Sequence, residues 1–225
     1  MIRDELFERS PIRYFDKVTN GGLQAGELGL LVAKKGLGKT SVLVQFGADT
    51  LLQDKQVIHV SFDQLSPNII SWYQDIFSEI AKKKNLNNVA EQVNDLVHKR
   101  IILNFNQDNV SLPQVINTVK ALAQGGIIAS CMVVDGVDLN KISVEDLKAV
   151  SDYAKELGMS IWFSATSDAE NLESVKDDLQ DFFSMIIQLQ AKSDVIEVAI
   201  LKLRDSTVKT SGLKLDSKTL LIAEK

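Results

Sequence analysis

The sequence predicts an α/β protein with a mostly parallel central sheet, flanking helices and an antiparallel C-terminal extension. Three observations carry that expectation. Short β-rich runs alternate with helical patterns through most of the chain, as strand–helix–strand units do. Several runs are apolar without a break, Cys131-Met132-Val133-Val134 among them, as strands must be when both faces of a sheet are covered. The last part changes character, with strand-like runs following one another around short turns.

Taken in order, residues 1–20 read as a lead-in segment. Strands are expected at 27–33, 56–62, 100–105, 129–135 and 160–165. Helices are expected between them at 39–53, 67–84, 89–99, 112–124 and 144–157. The helix at 112 has Ser111 at its N-cap and Gln114 three residues on, a capping box, with Pro113 in the first turn. Gly158 follows the helix ending near Leu157, where a left-handed residue closes the last turn. In the tail, 184–190 and 195–204 read as strands around a turn at 191–194, and 219–223 as another. No Pro/Gly/Ser linker, repeat or low-complexity tract divides the chain, so one domain over 1–225 is expected.

Composition narrows the function. With 45% hydrophobic and 24% charged residues, the 225-residue chain can bury a sizeable core. No apolar run approaches the ~20 residues of a membrane span. The first residues, Met1-Ile2-Arg3-Asp4-Glu5, lack a signal-like apolar stretch. Cys131 is the one cysteine and has no partner for an internal disulfide, so a reducing cytoplasm is the expected compartment. Lys and Arg total 25 against 30 Asp and Glu, a net charge of -5. That disfavours nucleic-acid binding over the whole surface.

The most informative stretch runs from Glu27 through Ala33-Lys34-Lys35-Gly36-Leu37-Gly38-Lys39-Thr40-Ser41. A buried strand enters a glycine-containing loop, and a helix begins at Lys39. Loop N–H groups and a helix N-terminus surround phosphate oxygens with donors, and the helix dipole favours their charge. Gly36 and Gly38 let the backbone turn and approach closely. Lys39 reaches the β/γ-phosphates and the Thr40 hydroxyl ligates Mg²⁺ in such a P-loop, whose first position, here Ala33, is ordinarily Gly. Phosphate binding is preferred to an ordinary strand–helix turn that happens to contain Gly-Lys-Thr.

Two carboxylates complete the set. Asp135 closes the apolar strand Val133-Val134, where an acid holds Mg²⁺ or its water shell. Asp63 follows the second strand in Ser61-Phe62-Asp63-Gln64, at the carboxyl edge where ligands of an open α/β sheet collect. It reads equally as the base for an attacking water or as a helix cap. Thr166 or Ser167, after Ser164-Ala165, is a weaker candidate for sensing phosphate.

The segment Gly21-Gly22-Leu23-Gln24-Ala25-Gly26-Glu27-Leu28 together with the 33–40 loop resembles the RecA-like ATPase core of DnaB-type replicative helicases. That family commonly carries Ala at the first loop position, as here at Ala33. The tail around Lys202-Leu203-Arg204 is similar to KaiC-like ATPases. The resemblance spans roughly residues 12 to 223. It implies a RecA-like P-loop NTPase that binds ATP with Mg²⁺ and forms a homo-oligomeric ring or filament, a hexamer being favoured. It further implies that Lys202 and Arg204 reach a neighbouring subunit's nucleotide. Asp63 stands where the family has Glu, which withdraws the carboxylate by about 1.5 Å and implies slow turnover. Helicases of this type present basic loops to DNA. Here the 168–181 stretch holds six acids against Lys176 and reads as a solvated acidic helix face, so DNA binding is expected to be weak or absent. A DNA translocase and a non-hydrolysing nucleotide-binding module are the alternative readings.

The remaining chemistry-bearing residues read as structure. His59 and His98 have no Cys/His cluster around them, and Cys131 reads as a small core residue. Trp72, Phe77 and Ile80 share helical spacing and read as packing. Lys82-Lys83-Lys84 suits a solvated helix end.

Overall fold

Strand β1 (Leu28–Ala33) is buried at every residue, the consequence of an unbroken apolar run at the centre of a sheet. The computed structural model describes residues 2–82, 96–169, 171–204, 206 and 211–225. A nine-stranded sheet runs in the order β3-β2-β4-β5-β1-β6-β7-β8-β9. Its other strands are β2 (Gln56–Ser61), β3 (Arg100–Asn104), β4 (Ala129–Val137), β5 (Ser160–Thr166), β6 (Phe183–Ala191), β7 (Ile196–Leu203), β8 (Leu213–Leu215) and β9 (Ile222–Glu224). Neighbours from β3 to β6 pair in parallel, and β7, β8 and β9 add antiparallel. The expected α/β class is therefore observed.

Among the described residues the helices that can be bounded are α1 (Ile2–Glu8), α2 (Ile12–Thr19), α3 (Lys39–Leu52), α4 (Ser66–Lys82), α5 (Leu112–Gln124), α6 (Val144–Leu157) and the single turn α7 (Asp177–Gln180). Because strand side chains alternate, the sheet feeds two cores. Leu31, Val57, Val133 and Ile187 pack with Phe15, Leu43, Phe46, Tyr73 and Phe77 of α2, α3 and α4. Leu30, Ile58, Val134 and Phe163 pack with Val115, Val119, Leu147 and Val150 of α5 and α6. The Ser111 capping box and the left-handed Gly158 (φ 61°) are both present. Among the described residues, no helix is long and apolar enough to cross a membrane.

Several expectations are corrected. The 1–20 lead-in contains two helices, α1 and α2, held because Leu6, Ile12 and Phe15 are buried; the Phe15 ring meets Phe46 of α3 edge-on at 5.1 Å. The final strand begins at Ile222 rather than 219. The Asp216 carboxylate accepts from the backbone N–H groups of Lys218 and Thr219 and bends those residues into a turn. The three-residue strand β8 was too short to show in the pattern. The acidic 168–181 stretch is not one helix face. It breaks into a 3₁₀ turn (Asn171–Ser174) and α7, with Val175 and Leu179 buried and Asp168, Glu173, Asp177, Asp178 and Asp181 exposed. Glu170, Lys83, Lys84 and most of the expected 89–99 helix lie outside the described residues.

Candidate functional site at the carboxyl edge of the sheet

The loop after β1 turns into α3 through two glycines in left-handed backbone, Gly36 (φ 85°) and Gly38 (φ 96°). An L-residue is strained in either. At Gly38 an added methyl would also press within 3.3 Å of Leu215 Cδ1. Gly38 is the N-cap of α3, and no side-chain hydrogen bond caps the helix. The first-turn N–H groups of α3 are thus left to the loop, with the positive end of the dipole behind them. Lys39 folds back over this loop: Nζ donates to Ala33 O at 3.3 Å and Lys34 O at 3.5 Å. Burial lowers its pKa, and Asp135 and then Asp63 oppose that shift. Lys34, Lys35 and Gly36 are exposed, whereas Leu37 packs its side chain against the core.

One strand, β5, separates β4 from β1, which spaces the end of β4 about 10 Å from the loop strand. The first turn of α3 spans that gap. Thr40 Oγ1 donates to Asp135 Oδ2 at 2.7 Å, joining residues 95 positions apart. Asp135 is buried, and its other oxygen accepts from Ser164 Oγ of β5. Ser164 Oγ in turn accepts from the backbone N–H of Gly136 at 3.0 Å. From the turn after β2, Gln64 Nε2 donates to Thr40 Oγ1 at 2.9 Å.

Asp63 lies against β4. A methyl built on Gly136 (φ 82°) would fall 2.4 Å from Asp63 Cγ. Burial raises the Asp63 pKa and the nearby Asp135 charge adds to it, with Lys39 and Lys35 acting against the shift. The helix-cap alternative is not observed. Leu65 accepts the opening bonds of α4, from the N–H groups of Asn68 and Ile69, so Asp63 precedes the cap position. Thr166 pairs with Ala33 in the sheet register, and the Ser167 N–H donates to Ala33 O at 3.1 Å, so both border the loop.

Ser41 differs from the rest of the loop: its hydroxyl donates to Leu220 O at 3.1 Å, toward the tail. Lys202 and Arg204 lie elsewhere. Regular side-chain alternation along β7 is broken at Leu201, because Ile186 pairs with Lys202 while Ile187 pairs with Ile200. This bulge sends Leu201 to the α5/α6 core and Leu203 to the other, so the two leucines do not share a face. Lys202 Nζ donates to Gln180 O at 2.9 Å. Arg204, in left-handed backbone (φ 51°), forks onto Glu27 at 3.0 and 3.2 Å and donates to Gly22 O at 3.1 Å. Glu27 precedes Ala33 by six residues, so Arg204 is about 20 Å along the strand direction from the loop that follows β1.

The donor set at the carboxyl edge is hard oxygen, a hydroxyl and a carboxylate, suited to Mg²⁺, which takes one or two protein oxygens and completes its shell with phosphate and water. Among the described residues no group of three or more His, Cys, Asp or Glu is arranged to hold a metal without such help. Sequence reasoning did not single out Gln64 or Ser164. Their only signal was position, at the carboxyl ends of β2 and β5. No protein-family model matches the chain, and no curated protein matches it.

Proposed function

We propose that the chain is a RecA-like P-loop ATPase of the DnaB and KaiC kind, binding ATP with Mg²⁺ through the 33–41 loop and hydrolysing it slowly at a subunit interface. The observation that carries this reading is the meeting of Thr40 with Asp135 at 2.7 Å beneath a loop that Lys39 spans. Thr40 and Asp135 would hold the cation, which when bound supplies positive charge beside the phosphates. Loop N–H groups and Lys39 bind and orient the phosphate chain. Asp63, with its pKa raised by burial, is the group at the β2 end able to accept a water proton. Its side chain is one methylene shorter than Glu, which favours binding over fast turnover. The exposed acids of 168–181 repel a nucleic-acid backbone, so DNA is not the partner in this reading.

A ring or filament, hexameric by preference, is the competent form, because Lys202 and Arg204 lie too far back to serve their own loop. A neighbour's nucleotide is the one they would reach, and Arg204 must leave Glu27 to do so. Calorimetry of ATP binding in Mg²⁺ tests the reading. Lys39→Ala should lose at least about tenfold in affinity with its melting temperature unchanged, since a charge-assisted phosphate contact is removed from a half-exposed site. Equal affinity in the two proteins overturns the assignment.

A further inference from the structure

We propose that Gln64 is a positioning residue for the cation site, fixing the Thr40 hydroxyl so that one lone pair is presented to the metal. The proposal rests on the ATP–Mg²⁺ reading above. A threonine hydroxyl has one hydrogen and two lone pairs. The hydrogen of Thr40 goes to Asp135 Oδ2 at 2.7 Å, and Gln64 Nε2–H occupies one lone pair at 2.9 Å. Two of the three directions around the oxygen are then set, which sets the third.

The orientation of the Gln64 amide follows from its surroundings. Asp135 only accepts, and its buried Oδ2 takes the Thr40 hydrogen, so Gln64 must offer its NH₂ rather than its oxygen to Thr40. The stem of Gln64 is held as well. Its backbone N–H donates to Ser61 Oγ at 2.9 Å, and its carbonyl accepts from Asn104 Nδ2 at the end of β3. The β2 and β3 ends thus deliver the amide to one place. Asp63, its neighbour, is turned instead against Gly136 of β4. The two adjacent residues divide the edge, Asp63 to the strand that carries Asp135 and Gln64 to the helix that carries Thr40.

The test measures metal affinity, apart from turnover. Mn²⁺ binding to the ATP-loaded protein is followed by electron paramagnetic resonance, and ATP binding is measured separately in a metal chelator. Gln64→Ala and the donor-free, similarly sized Gln64→Met should each weaken Mn²⁺ about 3- to 10-fold, the worth of one net hydrogen bond, while chelator ATP affinity stays within about twofold. In a Thr40→Ala background Gln64→Ala should add nothing, because there is no hydroxyl left to orient. Wild-type Mn²⁺ affinity in both Gln64 variants, or the same loss with and without Thr40, overturns the positioning role alone. A wild-type protein that binds neither ATP nor Mn²⁺ overturns the functional reading beneath it.

Discussion

Gly136→Ala is a perturbation whose effect can be worked out from two neighbouring residues. The glycine has φ 82°, and a methyl there would lie 2.4 Å from both Cγ and Oδ2 of Asp63 and 2.9 Å from its Cβ. Left-handed backbone costs an alanine ~1–2 kcal/mol. Forcing the methyl against filled space adds ~1–3 kcal/mol. The whole substitution should therefore destabilise by ~2–5 kcal/mol, and only the second part depends on Asp63. In an Asp63→Ala background the two contacts at 2.4 Å vanish and the backbone cost remains, so the same substitution should lose ~1–2 kcal/mol less. Urea unfolding of the four proteins, with midpoints compared at equal m-values, measures this coupling. A coupling below ~0.5 kcal/mol would mean that Asp63 does not rest on Gly136, and the described division of the sheet edge would be wrong.

Two further outcomes follow from groups away from the loop. His59 is buried beside Tyr73 OH (3.3 Å from Nδ1), and burial, with the Arg100 charge adding, lowers its pKa to about 3. The unfolded histidine takes its proton near pH 6.5, so between about 6.5 and 3 the unfolded chain holds more protons and His59 removes stability as pH falls, by up to ~1.4 kcal/mol per pH unit. Asp16 and Asp63, with raised pKa values, act in the opposite direction, so the check is that His59→Gln flattens the acid limb of unfolding free energy against pH relative to wild type. Arg204→Ala should cost ~1–2 kcal/mol in urea unfolding, through the lost fork on half-buried Glu27, and Arg204→Lys should recover less than half because an ammonium cannot fork.

The parts of this structure legible in the sequence are those whose signal is local. β1 and β4 announce themselves by unbroken apolar runs, and α5 and α6 by capping residues that the structure uses as expected. The turn from β1 into α3 was visible because Gly36, Gly38 and the start of the helix at Lys39 are contiguous in the chain. What stayed hidden depends on partners far along the chain. The buried residues of α2, Ile12, Phe15 and Thr19, had helical spacing, but eight residues show little until Phe46 supplies a surface to bury them on. The extra residue at Leu201 cannot be seen in an alternating pattern, since only pairing with Ile186 and Ile187 reveals which residue is surplus. Gln64 belongs to no motif, and its meaning comes from Thr40, 24 positions earlier. Ser41 was read with the Ala33–Thr40 stretch, and its hydroxyl instead donates to Leu220 O, 179 positions later.

That last pairing bears on the order in which the protein is made. Gln45, nearly two turns into α3, donates from Nε2 to Leu220 O at 3.0 Å, and its Oε1 accepts from the N–H of Ile222 at 2.8 Å. Leu220 holds left-handed backbone (φ 55°) to reach this place, and Leu215 lies against Gly38. The helix that begins after the 33–38 loop is thus finished by residues translated 177 positions after Gln45. At ~5–20 residues per second a ribosome takes roughly 9 to 35 seconds to supply them. Throughout that interval the nascent loop lacks its backing, so a growing chain cannot display the finished loop before its tail has emerged and docked.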